Sequence, residues 1–209
     1  MKTRLLVIAT TMMAACLTFA ISVYPEQLLL QHIPTAVGLL LLAFVVVRYG
    51  LTSLSFGCII AFWWLHLIGA TWIYSFVPYD EFFAWLTGFS LSEQTGWQRN
   101  HYDRFVHFAS GLLIVPPASE WLRRGFGMRP TGAAIMSIAV VMSIGAVYEI
   151  LEWQIAVQLS PGQAEAYNGQ QGDVWDPQKD LALALLGSII AAASLLQLPT
   201  NHSLGDRFG

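Results

Sequence analysis

The chain has 209 residues, of which 56% are hydrophobic and 11% charged, with a formal net charge of −3 and a mean hydropathy of +0.56. A soluble domain carries about 25% charged residues, so this balance excludes an ordinary soluble fold, and a pI near 5.9 leaves no basic face for nucleic acid. At about 20 apolar residues per crossing, the length accommodates roughly six spans. The expected fold class is all-α: one integral membrane domain over residues 1–209, a bundle of about six transmembrane helices plus a short interfacial helix.

In chain order, the first apolar run covers about 5–23 and closes at Tyr24-Pro25-Glu26-Gln27. Met1-Lys2-Thr3-Arg4, the run after it and Met13-Ala14-Ala15-Cys16 resemble a lipoprotein signal, but the apolar stretch continues from Leu17 to Val23, which predicts an uncleaved first helix. Cys16 and Cys58 both lie in apolar stretches, where a thiol packs as a small hydrophobe. The second run, about 28–47, contains Pro34 as a kink or as its true start and closes at Arg48-Tyr49-Gly50. A third covers about 51–77 and ends before Pro78.

In segment 78–98, Tyr79, Phe82, Phe83, Leu86 and Phe89 recur at helical spacing, which predicts an interfacial helix lying over the bundle as a hydrophobic lid or a substrate gate. The fourth span, about 101–122, contains Pro116-Pro117 and stops at Arg123-Arg124-Gly125; the fifth covers about 131–159, with Ser160-Pro161-Gly162 as its breaker; the sixth covers about 177–198, before Pro199.

Lys and Arg accumulate in cytoplasmic segments. With both termini cytoplasmic, the inner set is Lys2, Arg4, Arg48, Arg123, Arg124, Arg129 and Arg207, against Arg99, Arg104 and Lys179 outside. The same assignment puts every acid except Glu120 and Asp206 at or beyond the outer edge.

Three polar pairs at helical spacing then open toward that outer face: Asp103 with His107, Glu149 with Glu152, and Asp176 with Asp180. Ionisable groups at the edge of a span are costly unless they pair, face a cavity or bind something. Two of the pairs have a bland alternative. Asn100 can cap the fourth span with Asp103 in its first turn, and Asp176-Pro177 is a strong helix start. Glu149 and Glu152 resist this explanation, because they sit in the C-terminal half of the fifth span, where the helix dipole disfavours negative charge. Counting about 1.5 Å per residue from Pro130 puts Glu149 roughly 30 Å up, at the outer edge of the hydrocarbon. A solvated helix end or a shared polar cavity both fit that position.

Tyr102-Asp103-Arg104-Phe105-Val106-His107-Phe108, Tyr148-Glu149-Ile150-Leu151-Glu152-Trp153 and Gly172-Asp173-Val174-Trp175-Asp176-Pro177-Gln178-Lys179-Asp180 resemble the signature of the YjdF family of bacterial inner-membrane proteins, which has no assigned biochemical function. Length and span pattern agree over nearly the whole chain, and the resemblance implies a multi-pass protein of the bacterial inner (plasma) membrane. More distantly the motifs are similar to those of VanZ-like proteins, some of which are linked to glycopeptide resistance. There Asp103, Arg104, His107, Glu149, Asp180 and Gly187 match, whereas Glu152 stands where a Gln is usual and Ala184 where an Asn is usual.

Two function classes follow, with a blander third. In the first, a membrane-embedded enzyme acts on a lipid-linked or envelope substrate: Asp103, Glu149, Glu152 and Asp180 supply oxygen ligands to a divalent cation, and His107 is a ligand or general base. His107, Glu149 and Glu152 are its catalytic candidates, and Arg104, Asp173, Asp176 and Lys179 complete the polar cluster. In the second, a cation- or proton-coupled carrier uses the same acids and His107 as a relay. The third is a structural or regulatory envelope protein whose cluster locks the helices. No zinc, flavin or nucleotide motif is present, Ser110 lacks a local base, and the spans hold few polar groups beyond His66 away from the outer edge, which leans against a conducting path. The one partner implied outright is the lipid bilayer; the oligomeric state stays open.

Overall fold

Apolar segments become helices because a backbone surrounded by lipid must satisfy its own hydrogen bonds. The computed structural model describes residues 1–22, 24–158 and 169–197, and all the regular structure in them is helical. The elements are α1 (Lys2–Thr18), α2 (Pro25–Arg48), α3 (Ser53–Thr71), α4 (Tyr79–Thr87), α5 (Leu91–Thr95), α6 (Tyr102–Phe126), α7 (Pro130–Gln158) and α8 (Asp176–Gln197). Among the described residues, α2, α3, α7 and α8 are long and apolar enough to cross a membrane. Of the six spans expected, α1 is short at 17 residues and α6 too polar to meet that measure. The expected breakers Ser160-Pro161-Gly162 and Pro199 lie outside the described residues.

Polarity in α6 has a packing explanation: this helix contacts α3, α7 and α8, so its charged positions meet protein rather than lipid. Its approach to α8 is set by small residues. A Cβ on Gly111 would collide with the carbonyl oxygen of Ala184, and one on Gly187 with that of Phe108. Backbones this close let dispersion and polar contacts hold two helices together where lipid offers no hydrophobic drive. Val115, Ala134, Val141, Ala191 and Ala192 extend the seam into a core shared by α6, α7 and α8. A second core, Ile8, Leu39, Leu42, Val46 and Phe56, joins α1, α2 and α3.

Several boundaries depart from the sequence reading. The second span starts at Pro25, so Pro34 lies inside the helix and is not its start. The third ends at Thr71, six residues early, because the chain reverses through Ile73 and Tyr74, both at positive φ. The ring of Tyr74 folds back over Gly69, where any side chain would overlap it. Segment 78–98 is two helices, α4 and α5, separated at Gly88. Asp80 joins them, accepting from the Ser90 hydroxyl at 2.8 Å and from the Leu91 N–H at 2.6 Å. These bonds, the Ser90 contact first, hold the Asp80 carboxyl below its ordinary pKa. Neither helix buries a residue, and Phe82, Trp85, Leu86 and Phe89 all face outward. Tyr79 at the start of α4 packs instead against Tyr74, Val77, Tyr102 and Val106, and its hydroxyl accepts the His101 N–H at 3.0 Å.

Candidate functional site

The N-termini of α6 and α8 and the C-terminal half of α7 meet at one end of the bundle, here called the acidic end. Around the starts of α6 and α8, from Arg99 to His107 and from Gly169 to Asp180, polar side chains converge in two tiers. The outer tier is a closed ion-pair network. Arg99 grips both oxygens of Asp176, Nη1 to Oδ1 at 2.5 Å and Nη2 to Oδ2 at 3.0 Å, and also donates to the carbonyls of Gln170 and Gly169 at 3.2 and 2.9 Å. Arg104 Nη2 bridges Asp173 Oδ2 at 2.5 Å and Asp176 Oδ1 at 3.0 Å. Lys179 Nζ adds a third cation to Asp173 at 2.5 Å. The Lys179 bond, supported by the Trp175 N–H and Arg104, holds the Asp173 carboxyl well below the usual carboxylate range. Three cations thus serve two carboxylates, in forked geometry that suits arginine.

One turn deeper the balance reverses. His107 Nε2 stands 3.7 Å from Asp103 Oδ1 and 3.5 Å from Glu149 Oε1, too far for strong hydrogen bonds. Asp180 joins them, and one ligand-type atom from each of Asp103, His107 and Asp180 lies within 4.8 Å of the others. Glu152 sits within electrostatic range of Asp103, Glu149 and Asp180 and beside Tyr148. Four carboxyl groups and one imidazole therefore share this inner tier. Glu149 Oε1 and Asp180 Oδ1 are buried there with no hydrogen-bond partner, although Asp180 is only 2% exposed. Two ligands about 2.1 Å from a common ion stand about 3 to 4 Å apart, and the 3.5 and 3.7 Å separations around His107 match that spacing.

The sequence pairs are thus redistributed by depth. Asp103 and His107 remain neighbours, but Asp176 belongs to the outer tier and Asp180 to the inner one. Asp176 does not cap α8; both its oxygens are taken by guanidinium groups, and Asp173 Oδ1 accepts the Trp175 N–H at 3.1 Å instead. Asn100 accepts the Tyr102 N–H at 3.0 Å, so it closes the start of α6 from just outside the helix. Lys179, expected as a member of the polar cluster, pairs with Asp173 in the outer tier. Ser110 donates to the His107 carbonyl at 2.7 Å.

Sequence reasoning missed Arg99, which it counted only for orientation, and the polar groups of α2. Tyr148 OH donates to Gln31 Oε1 at 3.3 Å; Thr35 Oγ1 and Tyr74 OH flank the ring of His66 at 2.8 and 2.6 Å. Gln31, Thr35 and His66 are all buried. The i, i+4 spacing of Gln31 and Thr35 in α2 was the available signal.

A family model described as a predicted membrane protein, DUF2238, matches residues 4–201. The inner membrane protein YjdF of Escherichia coli (strain K12) is 34% identical over 162 residues, covering 77% of this chain and 73% of that protein. No solved structure matches the chain. With the model match spanning nearly the whole sequence, the chain belongs to the DUF2238 family of predicted membrane proteins.

Proposed function

We propose that the acidic end is the working site of an inner-membrane enzyme acting on a lipid-linked or other envelope substrate, with a divalent cation among Asp103, His107 and Asp180. The observation that carries this reading is the contrast between the tiers: fixed cations saturate the outer carboxylates, while among the described residues no Lys or Arg lies within ion-pair distance of the inner carboxyls, which leave two buried oxygens without a hydrogen-bond partner. Buried oxygens without partners are costly in a low dielectric, and a hard cation is the ligand class that suits them.

When bound, such an ion supplies Lewis-acid polarisation of a phosphoryl or carbonyl oxygen. Glu149, one step outside the Asp103, His107 and Asp180 group, is positioned to take a proton from an attacking water, with Glu152 beside it. The N-termini of α6 and α8 direct their dipoles at this end, which favours an anionic substrate group. Lipid-side access is supported by α7, where Ile150, Leu151 and Trp153 are exposed around the two glutamates. The basic residue asymmetry supports an outward-facing acidic end with both termini cytoplasmic; a reporter fused after Arg124 that reads as external reverses that orientation.

A coupled carrier is favoured by one observation, the buried Gln31, Thr35 and His66. Beyond them Leu39, Leu42, Val115 and Val141 make the described interior mainly apolar, the buried Thr11, Ser137 and Ser188 hydroxyls are tied to carbonyls of their own helices, and the buried Ser55 and Ser119 lie near the opposite end of the bundle and carry no ionisable group. This supports the enzyme over the carrier. Metal content of the full-length protein, purified in detergent and equilibrated with manganese or zinc, tests the site. We expect about one ion per chain, lost in Asp180→Asn and His107→Ala; equal ion content in both variants removes the reading.

A further inference from the structure

We infer that the opposite, basic end of the bundle binds the phosphate of an anionic phospholipid in a cleft between α1, α2, α3 and α6. This inference is independent of the acidic site. A cavity of about 670 Å³ opens there, its wall including Arg4, Val7, Val46, Tyr49, Phe56 and Arg124. Arg4 is half-buried, and its guanidinium donates to the Leu51 carbonyl at 2.5 Å and the Ser53 hydroxyl at 3.3 Å while lying 5.4 Å over the ring of Phe56. None of the ion pairs among the described residues includes it.

Glu120 is the nearby acid, but its oxygens are already committed to the Thr52 N–H, the Thr52 hydroxyl and Arg124. The cleft therefore carries one guanidinium with no carboxylate and a second, Arg124, that keeps 44% of its side chain exposed beyond its pairing with Glu120. Guanidinium groups bind phosphate through paired N–H donors, and attraction between opposite charges is stronger at a partly buried site than in bulk water. The apolar part of the wall selects the source. Val7, Val46 and Phe56 offer nothing to a free phosphate, but they suit acyl chains, and beside the cleft the ring of exposed Phe44 packs edge-on against that of the lining Tyr49. Tyr49, exposed at the end of α2 with Arg48 stacked over its ring, sits as an interfacial aromatic does at headgroup depth. Basic residues at a membrane surface attract anionic lipid in general; here a shaped cavity and an arginine with no carboxylate partner among the described residues localise it.

The test uses the full-length protein in detergent, titrated with phosphatidylglycerol, with phosphatidylcholine and with inorganic phosphate, reading bound lipid by native mass spectrometry and thermal stability in parallel. We expect phosphatidylglycerol to bind at least tenfold more tightly than phosphatidylcholine. Arg4→Gln should abolish that preference and Arg124→Gln should reduce it about threefold. Should Arg4→Gln fail to fold, the Arg124→Gln result decides on the same scale. Equal binding of the two lipids, or an unchanged preference in the folded variants, overturns the proposal. Matching stabilisation by inorganic phosphate overturns it too, by making the cleft a small-anion site.

Discussion

Glu120 and Glu149 are the same residue type on adjacent helices, with side chains 10% and 13% exposed, yet they are opposites in partnership. Glu120 accepts from the Thr52 N–H with both oxygens, from the Thr52 hydroxyl at 2.7 Å and from Arg124 at 2.8 Å, so it closes the start of α3. Glu149 has His107 at 3.5 Å and one oxygen with no hydrogen-bond partner. Burial alone does not separate a joint from a working group. Satisfaction does, because a fully bonded carboxylate has little capacity left for a ligand.

The comparison depends on the bundle holding both ends in register, and the largest expected effect comes from breaking that frame. Gly187→Leu drives a side chain into the Phe108 carbonyl, which forces α6 and α8 apart and separates His107 from Asp180. The destabilisation should exceed about 4 kcal/mol, the range reserved for gross overpacking. Size-exclusion chromatography in detergent should give no monodisperse folded peak.

Glu120→Gln comes next. It keeps the shape but removes the charge paired with Arg124 and weakens the bonds at Thr52, which should cost about 2 kcal/mol, the scale of hydrogen bonds to a charged group. Thermal unfolding in detergent measures it, and any envelope phenotype of the gene should be unchanged. A variant as stable as wild type would mean that Glu120 is no more structural than Glu149.

Much of this frame is legible in the sequence, and what is not has a physical cause. Apolar runs locate α2, α7 and α8 to within a few residues, since hydropathy and span length are local properties. The polar character of α6 is local too, but its meaning comes from the three helices around it. The division into tiers lies beyond sequence periodicity: Arg99 meets Asp176 across 77 positions, and helical spacing says nothing about which of Asp176 and Asp180 it will reach. The reversal at Tyr74 was missed because its ring needs the bare surface of Gly69, a tertiary fit inside an apolar run.

A smaller effect separates the tiers by acid. Asp173 titrates below its unfolded value, so its contribution is complete above the unfolded carboxylate pKa of about 4 and is lost as pH falls toward its folded value. Melting temperature should therefore drop between about pH 5 and pH 3 in the wild type, and the drop should be shallower in Asp173→Asn. Identical acid profiles would show that Lys179 and Arg104 gain nothing from the Asp173 charge.

The smallest stability effect is expected at Glu149, and it bears most directly on function. If the inner tier only locks helices, Glu149→Gln removes one member of a buried charged network and should cost about 3 to 5 kcal/mol, more than Glu120→Gln. The geometry argues otherwise. Glu149 Oε1 accepts no hydrogen bond that an amide would forfeit, and beside His107 it is surrounded by the carboxyls of Asp103, Asp180 and Asp176, so neutralising it relieves repulsion as much as it removes attraction. We therefore expect a melting temperature within about 2 °C of wild type, a change of at most about 1 kcal/mol on the usual scale. The same variant should abolish the phenotype that the wild-type gene complements, because a neutral amide neither binds a cation strongly nor accepts a proton. Glu120→Gln should show the reverse pattern, less stable and still active. If both variants lose stability together and keep function, the acidic end is a second structural joint and the proposed site falls with it.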